Sequence, residues 1–470
     1  MKQIKRCAGL VLALVMVFSM ALTAQAAETL GSITISGTTK DKVYEIYKIF
    51  DLTKGSGTAV AYTIDSDWTA FFAGVGADYI TDTQQEGLNA ITVDGKTKYI
   101  QITEDNKEQF VKAALEWAVG LTADSKQTAQ EDSLSFEDLP LGYYLVYPQG
   151  ASEIKEGYGS ICSLTSTVPT ASVVVKADYP TITKQDDTVS ADVGQRVTYT
   201  ITGKVPDTTG YQTYEYTIED VMTDGLTFQK DVVVKFEDKT IAVDPDYETT
   251  ANGFSVTFDM TKWQDHVGQT ITVTYSAVVN ENAVEEGTVE KNRATLTYDH
   301  DPKDNTQKTT TPPVEEKVYS SQIVVDKVDG ENNAQKLAGA QFVLLNSEGK
   351  YYKLEGETVS WVAEEENADV VTTDANGAAS FTGLKNGTYQ LKEIKAPDGY
   401  NLLTKTVEVT VDGEEKNGTS ISAVCVVENN SGTTLPSTGG AGTTAIYIGG
   451  SLLVLLSGIL LILRKRTKRV

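Results

Sequence analysis

Apolar and polar side chains alternate with a period of two along most of this chain. Val197, Tyr199 and Ile201 alternate with Arg196, Thr198, Thr200 and Thr202. Ile271, Val273 and Tyr275 alternate with threonines in the same way. Neighbouring side chains of a strand point to opposite faces, so such runs predict strands buried on one side. Many runs of this kind, rich in Thr and Val and separated by turn residues, predict an all-β chain of tandem immunoglobulin-like β-sandwich domains. The first third also carries helical spacing. Phe110, Ala114 and Trp117 recur after Thr103-Glu104-Asp105, and Trp68, Phe71 and Phe72 follow Ser66. These predict short helical insertions whose aromatics belong to the core.

Two interruptions divide the pattern. One lies at Asp178-Tyr179-Pro180, and the other is the polar stretch 301–313, read as a stiff linker because it ends in three threonines and two prolines. The resulting domains are 27–177, 178–312 and 318–430.

The ends of the chain follow other rules. Lys2, Lys5 and Arg6 precede an apolar run from Gly9 to Leu22, and Ala24-Gln25-Ala26 supplies a small-x-small cleavage site. That is a secretory signal over 1–26. At the other end stands Leu435-Pro436-Ser437-Thr438-Gly439, then an uncharged apolar run from Ala445 to Leu463, then a basic tail. The run is long enough to span a bilayer, and the tail would stay cytoplasmic. Motif, span and tail over 435–470 resemble the wall-sorting signal of Gram-positive surface proteins. The resemblance implies that a sortase cysteine attacks the bond between Thr438 and Gly439, and that an amine then takes the Thr438 carbonyl.

Removing both ends changes the charge. The remainder holds all 65 acidic residues against 32 of the 40 Lys and Arg, an excess of 33 negative charges. Nucleic acid is therefore excluded as a partner. Cys162 and Cys425 are the two cysteines that remain, too few for a disulfide scaffold, and Cys425 falls on an apolar strand face. The histidines His266 and His300 form no metal cluster, and no nucleophile elbow or phosphate loop occurs. No cofactor is expected. Asp299, Asp301 and Asp304 offer calcium ligands, or more simply a solvated acidic linker.

Chemistry concentrates in 318–430. Lys327 shares a predicted strand face with Ile323 and Val325; Asn429 shares one with Ala423, Cys425 and Val427; Glu393 shares one with Tyr389 and Leu391. A Lys, a Glu and an Asn thus face a core, where an unpaired charge is costly. Either they form a buried salt bridge or are unrelated surface groups, or they form an internal isopeptide bond. In the latter case desolvation yields a neutral, nucleophilic amine. It also yields a neutral carboxyl that hydrogen-bonds the Asn carbonyl and moves protons. Fixed geometry holds amine and carboxamide together. Ammonia leaves, once per molecule.

The segment Tyr389-Gln390-Leu391-Lys392-Glu393, with Ala396-Pro397 and Gly399-Tyr400, resembles the box of collagen-adhesin B-type domains, with Ile394 where that family usually has Thr. The resemblance implies Glu393 as the catalytic acid, Lys327 and Asn429 as the joined pair, and Asn430 as a neighbour on the wrong face. In 178–312 the same logic applies. Ile182 and Lys184 share a face, as do Asn292, Ala294, Leu296 and Tyr298, and as do Tyr214, Tyr216, Ile218 and Asp220, with Glu219 on the polar side. This region resembles the middle isopeptide domain of backbone pilins, with Asp220 as the acid for Lys184 and Asn292, although its shorter side chain must still reach the bond. In 27–177, Phe136, Leu139, Gly142, Tyr144 and Val146 echo Phe381, Leu384, Gly387, Tyr389 and Leu391, but Pro148 stands where Glu393 would. No bond is expected there. A Lys–Asn link between first and last strands lets tension bypass most of a domain and constrains the unfolded chain without reducibility.

The whole layout resembles a major pilin of Gram-positive sortase-assembled pili. That implies a structural subunit and no turnover enzyme. It also implies as partners pilus-specific and housekeeping sortases, identical subunits, tip and base pilins, peptidoglycan and host surface ligands. The acceptor lysine of such pilins lies at the end of the first domain. Lys176 is best placed for that role, although the usual Tyr-Pro-Lys motif is absent. The alternative is a wall-anchored adhesin or minor pilin that binds a host ligand through its first domain.

Overall fold

The computed structural model describes residues 29–54, 60–85, 88–152, 160–175, 177–237, 239–241, 247–250, 252–284, 289–413 and 422–432. The signal segment, Lys176, the 435–439 motif and the apolar run after it lie outside these residues. Among the described residues no helix is long and apolar enough to cross a membrane.

The described strands form six sheets, two in each third of the chain. In the first third, Gly31–Ser36 lies between Thr170–Val174, its parallel partner, and Ser133–Leu139. A larger sheet centred on Val43–Lys54 and Gly142–Pro148 faces it. The helix Lys107–Ala118 covers that sheet. Phe110, Val111, Ala114, Leu115 and Ala118 are buried on one stripe of it, while Trp117 is half-buried and donates from Nε1 to the Asp67 carbonyl at 3.1 Å.

In the second third, one sheet runs from Thr183–Asp186 through Arg196–Lys204 to Thr270–Val279. The other runs through Gly253–Asp259, Glu215–Met222 and Glu290–Asp299. The buried faces are those the alternation predicts: Val197, Tyr199 and Ile201 against Tyr216, Ile218 and Leu296. The last third repeats the plan of the first. Ser321–Asp329 lies between Ala378–Leu384 and its parallel partner Ala423–Asn429, with Gln341–Leu345 and Gly387–Lys395 in the facing sheet.

The polar stretch after Asp301 is not a free linker. Lys308–Thr310 and Val314–Val318 both pair antiparallel with Glu290–Asp299. Their backbone groups complete an otherwise open sheet edge, which a two-residue alternation too short to read did not announce. Contact between thirds is also direct. Val193 donates to the Gly383 carbonyl at 2.9 Å and accepts from Val359 at 2.8 Å. Gly383 has φ of +75°, and a Cβ there would fall 2.9 Å from Val193 Cγ2. Asp192 clamps the same seam, taking Trp361 Nε1 at 3.0 Å and Lys385 N at 2.8 Å. Between the first and second thirds, Lys42 Nζ donates to the Tyr298 hydroxyl at 2.8 Å and Lys303 Nζ to that of Tyr47 at 2.7 Å.

Candidate functional site

Two buried polar clusters lie inside these sandwiches. In the last third, parallel pairing sets Lys327 opposite Val427 and Asp329 opposite Asn429. Lys327 and Asn429 therefore project from adjacent strands into one core, two residues apart in register. Glu393 reaches them from the facing sheet. All three are buried, Lys327 completely. Lys327 Nζ donates to the Val427 carbonyl at 2.9 Å and the Val328 carbonyl at 3.3 Å. Burial lowers its pKa to about 8, against the opposing pull of Glu393. Asn429 Nδ2 donates to Glu393 Oε2 at 2.9 Å and to the Asn401 carbonyl at 2.6 Å. The carboxyl thus meets the amide nitrogen, not the carbonyl the sequence suggested, because Asn401 fixes which way the amide faces. Asn430 is exposed.

In the second third, Lys184 comes from Thr183–Asp186, Asp220 from Glu215–Met222 and Asn292 from Glu290–Asp299. Met222 is opposite Asn292 in register, so Asp220 and Asn292 lie near each other on adjacent strands. Lys184 Nζ makes a short ion-paired contact with Asp220 Oδ2, and both side chains are wholly buried. Desolvation lowers Lys184 to about 8, although Asp220 opposes it; desolvation likewise raises Asp220. Tyr275 completes the cluster. Its hydroxyl donates to Asp220 Oδ2 at 2.5 Å and accepts from Asn292 Nδ2 at 3.1 Å. Sequence reasoning missed Tyr275, whose place beside Ile271 and Val273 reads as core. Glu219 is exposed.

Each cluster contains a lysine with a lowered pKa, a carboxyl group and a carboxamide. In both, the amide oxygen and one carboxyl oxygen are buried without a protein partner. Fully buried polar atoms left in this way require a reason. In the first third Pro148 pairs with Tyr44, and no carboxyl occupies that position. Among the described residues no group of three or more His, Cys, Asp or Glu is arranged to hold a metal. Asp299 instead accepts from Glu215 N at 2.9 Å, Asp301 from Lys303 N at 2.9 Å and Asp304 from Thr306 N at 3.0 Å. Cys162 and Cys425 are both free.

Comparison with known proteins fits this layout. Residues 177–311 match the Sgo0707 N2 domain, 321–424 the SpaA prealbumin-like fold domain, and 427–469 the LPXTG cell wall anchor motif. The trypsin-resistant surface T6 protein of Streptococcus pyogenes serotype M6 is 29% identical over 274 residues, 51% of this chain and 47% of that protein. The chain thus spans about half the length of this curated relative. The group B streptococcus pilus 2b backbone protein is 31% identical, over 54% of this chain and 99% of that one, with a TM-score of 0.45. The T6 backbone pilin of Streptococcus pyogenes serotype M6 shares the fold at a TM-score of 0.50 and 19% identity, over 81% of this chain and 79% of that one. The prealbumin-like domain, the LPXTG anchor motif and the homology to the T6 protein together support a sortase-assembled major pilin of Gram-positive bacteria.

Proposed function

We propose that this protein is the structural shaft subunit of a covalent pilus. A sortase cuts after Thr438 and joins its carbonyl to Lys176 of the neighbouring subunit. The chain itself forms two isopeptide bonds, Lys184 to Asn292 and Lys327 to Asn429. The observation that carries the reading is the pair of buried Lys, acid and Asn clusters lying between that acceptor position and the sorting motif. In the sequence, Lys176 stands two positions after the end of the strand Thr170–Val174, at the junction of the first and second thirds.

The chemistry follows from the contacts. A neutral Lys327 amine attacks Asn429 Cγ. The carbon–nitrogen bond to Nδ2 breaks, and that nitrogen takes a proton before it leaves as ammonia. Glu393 Oε2, 2.9 Å from Nδ2, is placed to deliver it as a neutral acid and to take back the surplus proton of the new amide nitrogen, ending neutral again. Burial supplies the neutral amine, and fixed strands supply the encounter. The shaft is anchored to peptidoglycan, with tip and base pilins and host ligands as further partners.

The test is a denaturing gel of wall extracts from cells making wild type or Lys176→Ala. A covalent ladder in wild type that collapses in the variant supports the linkage. A ladder that survives moves the acceptor to another lysine. A single anchored band in both would reject the shaft and favour a wall-anchored adhesin.

A further inference from the structure

We propose that the Tyr275 hydroxyl is a catalytic residue of the second-domain bond, relaying a proton from Asp220 to the departing Asn292 nitrogen. The inference rests on the isopeptide reading above. Asp220 is one methylene shorter than Glu393, and the two clusters differ accordingly. Glu393 touches the leaving nitrogen directly, at 2.9 Å. No hydrogen bond joins Asp220 to Asn292 among the described residues. Tyr275 fills the gap with a continuous chain: Lys184 Nζ to Asp220 Oδ2, Tyr275 hydroxyl to the same oxygen at 2.5 Å, and Asn292 Nδ2 to the Tyr275 oxygen at 3.1 Å.

The protons balance along that chain. Lys184 gives one to Asp220 and becomes a neutral amine. Its attack on Asn292 Cγ forms the new carbon–nitrogen bond and makes Nδ2 pyramidal and basic. With Asp220 now protonated and a lone pair on Nδ2, both hydrogen bonds of Tyr275 reverse, so the proton on Asp220 passes to the Tyr275 oxygen as the Tyr275 proton passes to Nδ2. The Cγ–Nδ2 bond breaks and ammonia leaves. The new amide nitrogen then returns its surplus proton to Asp220, which ends neutral. No phenolate forms at any point. That suits a hydroxyl whose pKa burial and Asp220 raise well above its ordinary value, so it is always protonated.

The test is intact-mass measurement over time on the secreted chain, with peptide mapping of the Lys184–Asn292 link. Tyr275→Phe keeps the ring that stacks on Tyr199, with centroids 5.6 Å apart. It should slow the second-domain bond by roughly 10²–10⁴-fold, while the third-domain bond still completes. Tyr216→Phe, at a buried hydroxyl of the same domain without a hydrogen-bond partner, should leave the rate unchanged. Asp220→Glu added to Tyr275→Phe should restore the bond, since the longer carboxyl then reaches Nδ2 as Glu393 does. Bond formation at the wild-type rate in Tyr275→Phe, a larger loss in Tyr216→Phe, or no restoration by the double variant would each overturn the relay. Wild type that never loses ammonia at Asn292 would instead overturn the isopeptide reading, and the relay with it.

Discussion

Glu393→Gln isolates the acid from everything else in the third domain. Glutamine keeps the size and shape of the side chain, so the Leu403 amide that now donates to Glu393 Oε2 at 2.9 Å still meets an oxygen. It cannot deliver a proton to Asn429 Nδ2. The bond between Lys327 and Asn429 should therefore fail, and the chain should be heavier by one ammonia. The stability lost is set by the loop the bond closes, about a hundred residues, for which the chain-entropy model gives about 4.7 kcal/mol. A domain of that size shifts by about 4–8 °C per kcal/mol. Its calorimetric transition should then fall by on the order of 20 °C. Two results would refute the reasoning. An unchanged mass would remove Glu393 from the chemistry. A mass gain with no fall in the transition would show that the link does not tether the domain.

Two further outcomes follow from the same contacts. In Asn429→Ala the amine of Lys327 stays free and buried, with a folded-state pKa of about 8 against 10.5 for an ordinary lysine. Between these values the unfolded chain binds the proton and the folded chain does not. The variant should therefore gain stability with rising pH across that window, by about 1.4 kcal/mol per unit, and stay flat below it; denaturant titrations at pH 7, 8.5 and 10 check the sign. Asp192→Ala strips Trp361 Nε1 and Lys385 N of their acceptor at the seam between the second and third domains. It should cost about 1–3 kcal/mol and separate the two domains' unfolding transitions; coincident transitions would show that Asp192 does not couple them.

Much of this site was legible because a strand carries its own coordinate system. Period-two alternation alone puts Lys327 with Val325 and Asn429 with Val427, and it separates Asp220 from Glu219 and Asn429 from Asn430. What it cannot give is the direction of a hydroxyl. Tyr275 sits among apolar neighbours like any core tyrosine, and only the packing of two sheets brings its oxygen to Asp220, 55 residues away in sequence. Tertiary pairing was equally silent. The edge strands at Lys308–Thr310 and Val314–Val318 are too short and polar to read as strands until Glu290–Asp299 offers them an edge.

The parallel pairing of Ser321–Asp329 with Ala423–Asn429 decides how that sheet meets a pull. The chain enters at the Ser321 end of one strand and leaves at the Asn429 end of its neighbour, so opposing forces slide the strands past each other. Hydrogen bonds along the pair are then loaded in shear, all at once, instead of peeling one by one. The first domain has the same parallel pair, Gly31–Ser36 with Thr170–Val174, but a different mechanical position. If the neighbour is attached at Lys176, as proposed above, force enters after this domain and runs toward Thr438. Residues 29–175 would then hang beside the load path like a bead clipped to a cable. A domain that never bears the strain has no use for a covalent brace, which is consistent with Pro148 standing where the acid would be.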